Sequence, residues 1–423
     1  MDEHEHGGIG KAAATGIGLA AAAVGGVAIA GAGYAGRSAV KRSRAYAVTH
    51  HDEVHAFPFV TDKVQAVPAN DGVVLHVEVD EPEGWTPQTG PTVVLVHGFV
   101  LNLSSWVFQR RALVDAGYRV VSYDQRNHGA SQAGDLEHCT IDQLGKDLRA
   151  VVDATTPEGE LVLVGHSMGG MTIMGLAALR PDLFGSRIVG TALVATSSGN
   201  LADLNFGLPE FLTRVRAAVL PIAAWTMRRR PAIAEGTRRA AADLISVVTR
   251  ALSFASADVD PALVHYVDAM IAGTPVDVIA EFYPALAGLD ETGSLEPLRR
   301  IPTLVLTGDA DRMIPKEHSD QIVEQLPDAE YVVLAGAGRA LDPIGAGEQV
   351  ACAGLQPQPV ERVGSRAGPG GRLTETARQI LGGLLDAGHG DARQFARPLQ
   401  RLDRGDRGAE GLGELGLRID GLQ

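Results

Sequence analysis

Residues 165–169 read Gly-His-Ser-Met-Gly, which sets Ser167 between two glycines. The apolar run "LVLV" (161–164) precedes it, and the helical pattern "GMTIMGLAALR" (170–180) follows. Ser167 therefore sits at a turn from strand to helix, which lifts its hydroxyl out of the sheet. Gly165 and Gly169 permit the close backbone approach that so tight a turn requires. The amides at the start of the following helix then stand beside any oxyanion that develops on attack. The chemistry that this arrangement suits is acyl transfer through a serine nucleophile.

Other stretches could complete such a site. "VHGF" (96–99) ends an earlier apolar run, so the backbone N–H groups of Phe99 and Met168 are the candidate oxyanion donors. The side chain of His97 reads as a structural turn residue. "LTGDADRMIP" (306–315) ends a late apolar run with two acids. Asp311, just ahead of the turn at Met313–Pro315, is the better candidate to orient a histidine, and Asp309 reads as a turn or capping residue. In "YDQRNHGAS" (123–131), Asp124, Arg126 and His128 read as side chains that satisfy loop backbone groups.

These pieces need a frame to hold them. "GVVLHVEV" (72–79) alternates like a half-buried strand, and "TVVLVHGF" (92–99) is continuous, as in a buried parallel strand. "FQRRALVDAG" reads as a helix stopped by Gly117, and "TIDQLGKDLRAVVDA" as a helix capped by Thr140. Further strands fall in "YRVVSY", "RIVGTALVAT", "IPTLVLTG" and "EYVVLAG". Strands alternating with helices of this length predict a parallel sheet covered on both faces. Residues 198–295 break the rhythm. They read as a helical cap over the carboxyl ends of the strands, where such sheets bind ligands. Arg228, Arg229, Arg230, Arg238 and Arg239 lie there and read as a solvated helix face, with contact to anionic lipid or a carboxylate as the alternative.

The chain has 423 residues, a formal net charge of −14 and a pI near 5.4, which argues against nucleic acid as a main partner. Two cysteines, Cys139 and Cys352, make no disulfide framework, and no metal-ligand spacing or internal repeat is present. After a polar start (1–11), residues 12–36 carry no charge and are long enough to cross a bilayer, although rich in Ala and Gly. The basic flank "RSAVKRSR" predicts a cytoplasmic C-terminal side. The expectation is a cell-membrane protein with one N-terminal segment and a cytoplasmic main domain. A cleaved signal peptide with secretion, or a loose tail on a cytoplasmic protein, are the alternatives. Residues 37–69 read as a linker and 70–338 as the main domain.

The chain resembles the α/β-hydrolase superfamily over residues 70–338, and more narrowly actinobacterial esterase-like hydrolases with an N-terminal hydrophobic segment. The motifs are HGF, the D-x-R-x-x-G-x-S turn, GHSMGG, and G-x-x-D-x-x-x-P in "GDADRMIP". Asn127 stands where many relatives have Gly, a mild departure because Asn tolerates a left-handed backbone. The resemblance implies a mostly parallel eight-stranded sheet flanked by helices, with the cap inserted after the sixth strand. It implies a Ser–Asp–His triad in that order, and a reaction that needs no cofactor and no metal. Serine at the elbow argues against epoxide hydrolases and haloalkane dehalogenases, which carry aspartate there.

In the family the histidine follows the last strand in an A-G-H turn. Here the turn is "AGAGR", with Arg339 at that place. A guanidinium stays protonated and has no acceptor lone pair, so it cannot serve as a general base. None of the thirteen histidines has the expected position. Residues 339–423 also lose the apolar pattern: glycine, arginine and aspartate recur, and the only aromatic is Phe395. The leading reading is a frame change near codon 338 and a disordered, dispensable tail. A divergent natural extension is the alternative. The expected function is hydrolysis of a carboxylic ester, small or lipid-like, with impaired activity. A non-catalytic binding protein, or a cofactor-free haloperoxidase or perhydrolase, are the competing readings.

Overall fold

The computed structural model describes residues 59–201, 261–334, 337 and 361–363. One sheet organises them. Its strands are β1 (Lys63–Pro68), β2 (Val74–Asp80), β3 (Thr92–Val96), β4 (Arg119–Tyr123), β5 (Leu161–His166), β6 (Ile188–Val194), β7 (Thr303–Gly308), β8 (Glu330–Leu334) and β9 (Glu361–Val363). The order across the sheet is β1-β2-β4-β3-β5-β6-β7-β8-β9. The pairs from β4 through β8 are parallel, while β2 pairs antiparallel with β4, β1 with β2, and β9 with β8.

The continuous apolar runs are explained by burial on both faces. In β3, Val93 and Leu95 join one apolar cluster with Trp106, Leu113 and Val164, whereas Val94 and Val96 join the other with Leu148, Ile173 and Met174. Helices α1 (Val107–Asp115), α2 (Ile141–Thr155) and α3 (Met168–Leu179) supply these layers. Gly117, at φ 89°, follows α1, and the Thr140 side chain accepts from the Gln143 N–H to cap α2. Gly145 of α2 lies against the backbone of α3: a Cβ there would sit 2.7 Å from the carbonyl carbon of Gly175. The two helices therefore cross at close range, and α2 backs the helix that begins at Ser167.

The chain leaves the sheet after β6 and returns through α4 (Pro261–Gly273), α5 (Val276–Ala287) and the tight helical stretch Thr292–Arg300 before β7. Leu263, Tyr266, Val267, Met270 and Ile271 of α4 lie at helical spacing and pack on Leu101, Val107 and Phe108. The insertion's two stems meet in an antiparallel bridge between Gly199 and Asp290. The Glu291 N–H donates to the Ser198 carbonyl at 2.7 Å. Residues 202–260 of the expected cap, and its five arginines with them, lie outside the described residues.

Two expectations need correction. The stretch 37–69 is not all linker, because its end forms β1. "KVQAVP" shows one face to solvent, with Val64 56% exposed, so its apolar content is thin and its strand signal weak. The sheet also gains a short edge strand, β9 (Glu361–Val363), from the tail, which was expected to be disordered there. Among the described residues no helix is long and apolar enough to cross a membrane. Residues 12–36, Cys352 and Arg339 lie outside them.

Candidate active site

Ser167 occupies φ 52°, ψ −117°, a conformation that L-residues rarely adopt and that marks stored strain. The surrounding backbone holds it there. The Ser167 N–H donates to the Val194 carbonyl at 2.9 Å, and Thr196 Oγ1 donates to the Ser167 carbonyl at 2.6 Å. The flanking glycines are required by contact. A Cβ on Gly165 would lie 2.5 Å from the Gly169 carbonyl oxygen, and one on Gly169 only 2.1 Å from that of Val96. Met168 is the first residue of α3, so its N–H has no partner within the helix and faces outward from the helix end.

The turn after β3 meets this elbow. A Cβ on Gly98 would lie 2.6 Å from His166 Nδ1 and 3.3 Å from Ser167 Cβ, so the His166 ring packs on Gly98. His97 braces the turn. Its Nε2 accepts from the Gln125 N–H at 2.9 Å, which leaves Nδ1–H to donate to the Gly98 carbonyl at 2.8 Å. Gln125 completes the brace: Nε2 donates to the His97 carbonyl and Oε1 accepts from Thr172 of α3. Burial pushes His97 down to about 3, so the ring is neutral and both its nitrogens are committed. Its structural reading agrees with this geometry. Gln125 and Thr172 escaped the sequence analysis because neither belongs to a recognisable spacing.

Asp311 and Asp309 separate clearly. Asp311 is buried, 5% exposed, and its Oδ1 accepts from the N–H groups of Met313 and Ile314 at 2.8 and 3.0 Å. Asp309 is exposed. The acid loop is bound to the chain beyond β8: the Ala310 N–H donates to the Ala337 carbonyl at 3.0 Å. Gly308 has no room for a side chain there, since a Cβ would sit 2.2 Å from the same carbonyl oxygen. Position 339 is two residues further along.

The turn 124–131 is a scaffold. Asp124 accepts from the N–H groups of Leu103 and Ala130, each at 2.7 Å. Arg126 is fully buried and grips Asp147 of α2 through Nε (2.6 Å) and Nη2 (2.7 Å), and Asp71 through Nη1 (2.8 Å) and Nη2 (3.1 Å). The Arg126 hydrogen bond holds the Asp71 carboxyl well below the usual range. Asn127 takes φ 64°, as the motif requires. His128 donates from Nδ1 to the Arg126 carbonyl (2.9 Å), accepts the Val100 N–H at Nε2 (3.3 Å), and is pushed down to about 4 by burial.

His318 of α6 (Lys316–Gln325) is tied through Nδ1 to Ser197 Oγ at 2.9 Å and serves the stem of the insertion. Burial pushes the Cys139 thiol up to about 12, which keeps it protonated and unreactive. Among the described residues no cluster of His, Cys, Asp and Glu could hold a metal ion.

The chain belongs to the alpha/beta hydrolase fold family, whose pattern it matches over residues 91–341. It is 36% identical over 121 residues to the AB hydrolase superfamily protein YfhM of Bacillus subtilis, covering 28% of this chain and 40% of that one. It is 39% identical over 112 residues to epoxide hydrolase B of Mycobacterium tuberculosis, covering 26% of this chain and 30% of that one. The chain thus spans less than half the length of these relatives. A thermophilic esterase from Thermogutta terrifontis matches in structure with a TM-score of 0.52 at 26% identity, over 69% of this chain and 96% of that chain.

Proposed function

We propose that the chain is a serine hydrolase scaffold for carboxylic esters, with turnover impaired by Arg339. The observation that carries this is the strained Ser167 at the head of α3, set against the Gly98 turn. Ser167 attacks the ester carbonyl. The N–H groups of Phe99 and Met168 stabilise the oxyanion, the adduct collapses to an acyl-serine as the alcohol leaves, and water then releases the acyl group as a carboxylic acid; Asp311 is the orienting acid in this reading. The serine proton needs an acceptor. His97 and His128 are neutral rings with both nitrogens committed, and residue 339 is an arginine. Deprotonation of Ser167 is therefore the slow step.

Met168 at the elbow belongs to an apolar cluster with Met171, Phe282 and Ile314, against which Phe99 and Leu286 pack. This supports a small-molecule ester with apolar groups, including lipid-like ones. No cofactor enters the reaction. Serine at the elbow separates this reading from the epoxide hydrolases among the relatives. The cell-membrane reading of 12–36, with the hydrolase domain cytoplasmic, belongs to the same proposal. Carbonate extraction that released all the protein would end it.

Arg339 also supports a second reading, a non-catalytic binding protein on this fold. A panel of p-nitrophenyl esters decides between them. The hydrolase reading expects slow turnover that is abolished in Ser167→Ala and raised in Arg339→His. Rates equal to buffer in the wild type and in Arg339→His, together with saturable binding of an apolar ester, would favour the binding protein.

A further inference from the structure

The residue that follows the proposed oxyanion donor is held in an unfavourable shape. Val100 is β-branched and takes φ 60°, in the left-handed region that such side chains avoid. A turn strained in this way persists only where its surroundings over-determine it. Two contacts do so. On the core side, the Val100 N–H is bound by His128 Nε2, and His128 is fixed in turn through the Arg126 carbonyl. The ring of the preceding residue, Phe99, meets Phe282 of α5, which is fully buried. Its ring centroid lies 5.9 Å from that of Phe99 and 5.7 Å from that of His128, while Phe99 and His128 are 6.0 Å apart. Three rings thus meet pairwise in tilted or edge-on contacts of the kind that attract.

We infer that Phe282 and His128 are positioning residues that hold the Phe99 N–H toward Ser167, with Phe282 making that aim depend on the seating of the insertion. Phe282 comes from the segment between β6 and β7, while Phe99 and His128 come from the sheet's own turns. When α5 is seated, the Phe99 ring is pinned and the strained turn at Val100 is kept. When α5 lifts, the ring loses one of its two aromatic neighbours and the turn relaxes. The oxyanion site is then complete only while α5 is seated. This rests on the ester-hydrolase reading for its catalytic meaning, but not for its conformational content.

The test is amide hydrogen exchange on the full chain, followed in peptides covering 97–102. In Phe282→Ala, exchange there is expected to rise about tenfold or more, while peptides from β5 and β7 keep wild-type protection. Phe282→Leu, which refills most of the volume, should restore much of the protection. If the chain turns over an ester, Phe282→Ala should also lower kcat by about 10- to 100-fold with little change in KM, as expected for a misaimed oxyanion donor. Unchanged exchange at 97–102 in Phe282→Ala would overturn the inference. So would an equal rise across the whole sheet, which would mark Phe282 as a packing residue only. Absence of turnover in every variant would count against the hydrolase reading and leave the exchange result to decide this one.

Discussion

The backbone of Ala310 and that of Ala337 are joined by a hydrogen bond of 3.0 Å, which brings the chain after β8 up against the loop that carries Asp311. The loop of Asp311 and the chain two residues short of position 339 are therefore in contact, and the arginine encoded at 339 cannot take a proton. A positioned general base contributes roughly 10²–10⁴ in rate. A fluorophosphonate probe should accordingly label Ser167 about 10²–10⁴-fold more slowly than it labels a complete Ser–His–Asp site. Rapid stoichiometric labelling that disappears in Ser167→Ala would reveal another group activating the serine.

Arg126 joins three separate stretches of chain, and its partner Asp147 is fully buried. Breaking such a pair leaves an uncompensated charge inside the protein. Arg126→Met should cost about 3–5 kcal/mol in urea unfolding, and adding Asp147→Asn should recover part of the loss. Equal stability of Arg126→Met and the wild type would mean that water reaches Asp147.

Stability should fall on acidification from pH 6.5. His97 and His128 titrate near 3 and near 4 in the fold because burial disfavours the imidazolium, against 6.5 when exposed. Below 6.5 the unfolded chain therefore binds more protons than the folded one, so stability rises with pH and is lost as pH falls. Each ring contributes up to about 1.4 kcal/mol per pH unit down to its folded value. His128→Gln should flatten the pH 6.5–4.5 slope by about that amount. An unaltered slope in urea titrations across this range would show that His128 is protonated in the folded state.

Truncation after residue 345 removes β9, which pairs only Glu361–Val363 with Tyr331–Val333 of β8. A short edge strand contributes little, and a loss near 1 kcal/mol corresponds to about 2–4 °C in a domain of this size. Calorimetry should find a shift of that order. A drop of roughly 10 °C or more would show that the tail packs as an integral element.

Much of this arrangement was legible in local sequence. The strands β3, β5 and β7 are buried on both faces, so they announce themselves as unbroken apolar runs. The elbow was legible because Gly165 and Gly169 have one physical purpose at that spacing. Asp311 could be preferred to Asp309 from the turn that follows it, and the structure buries the first and exposes the second. β1 was missed because a strand with one wet face carries few apolar residues. The ring contacts of Phe282 with Phe99 and His128 were illegible for a different reason. They join residues far apart in the chain, and no local pattern marks a helical phenylalanine that reaches a distant turn.

The bridge between Gly199 and Asp290 has a consequence for how such a protein changes over generations. The insertion departs and returns at adjacent points, so its ends are already closed by the sheet. A recombination event could exchange everything between them for a shorter or longer insert, and the order of the strands and the position of Ser167 would stay as they are. The insertion is thus free to diversify at a pace of its own, with one condition. Any replacement must bring an aromatic or similarly bulky group back to the place where Phe282 now rests on Phe99.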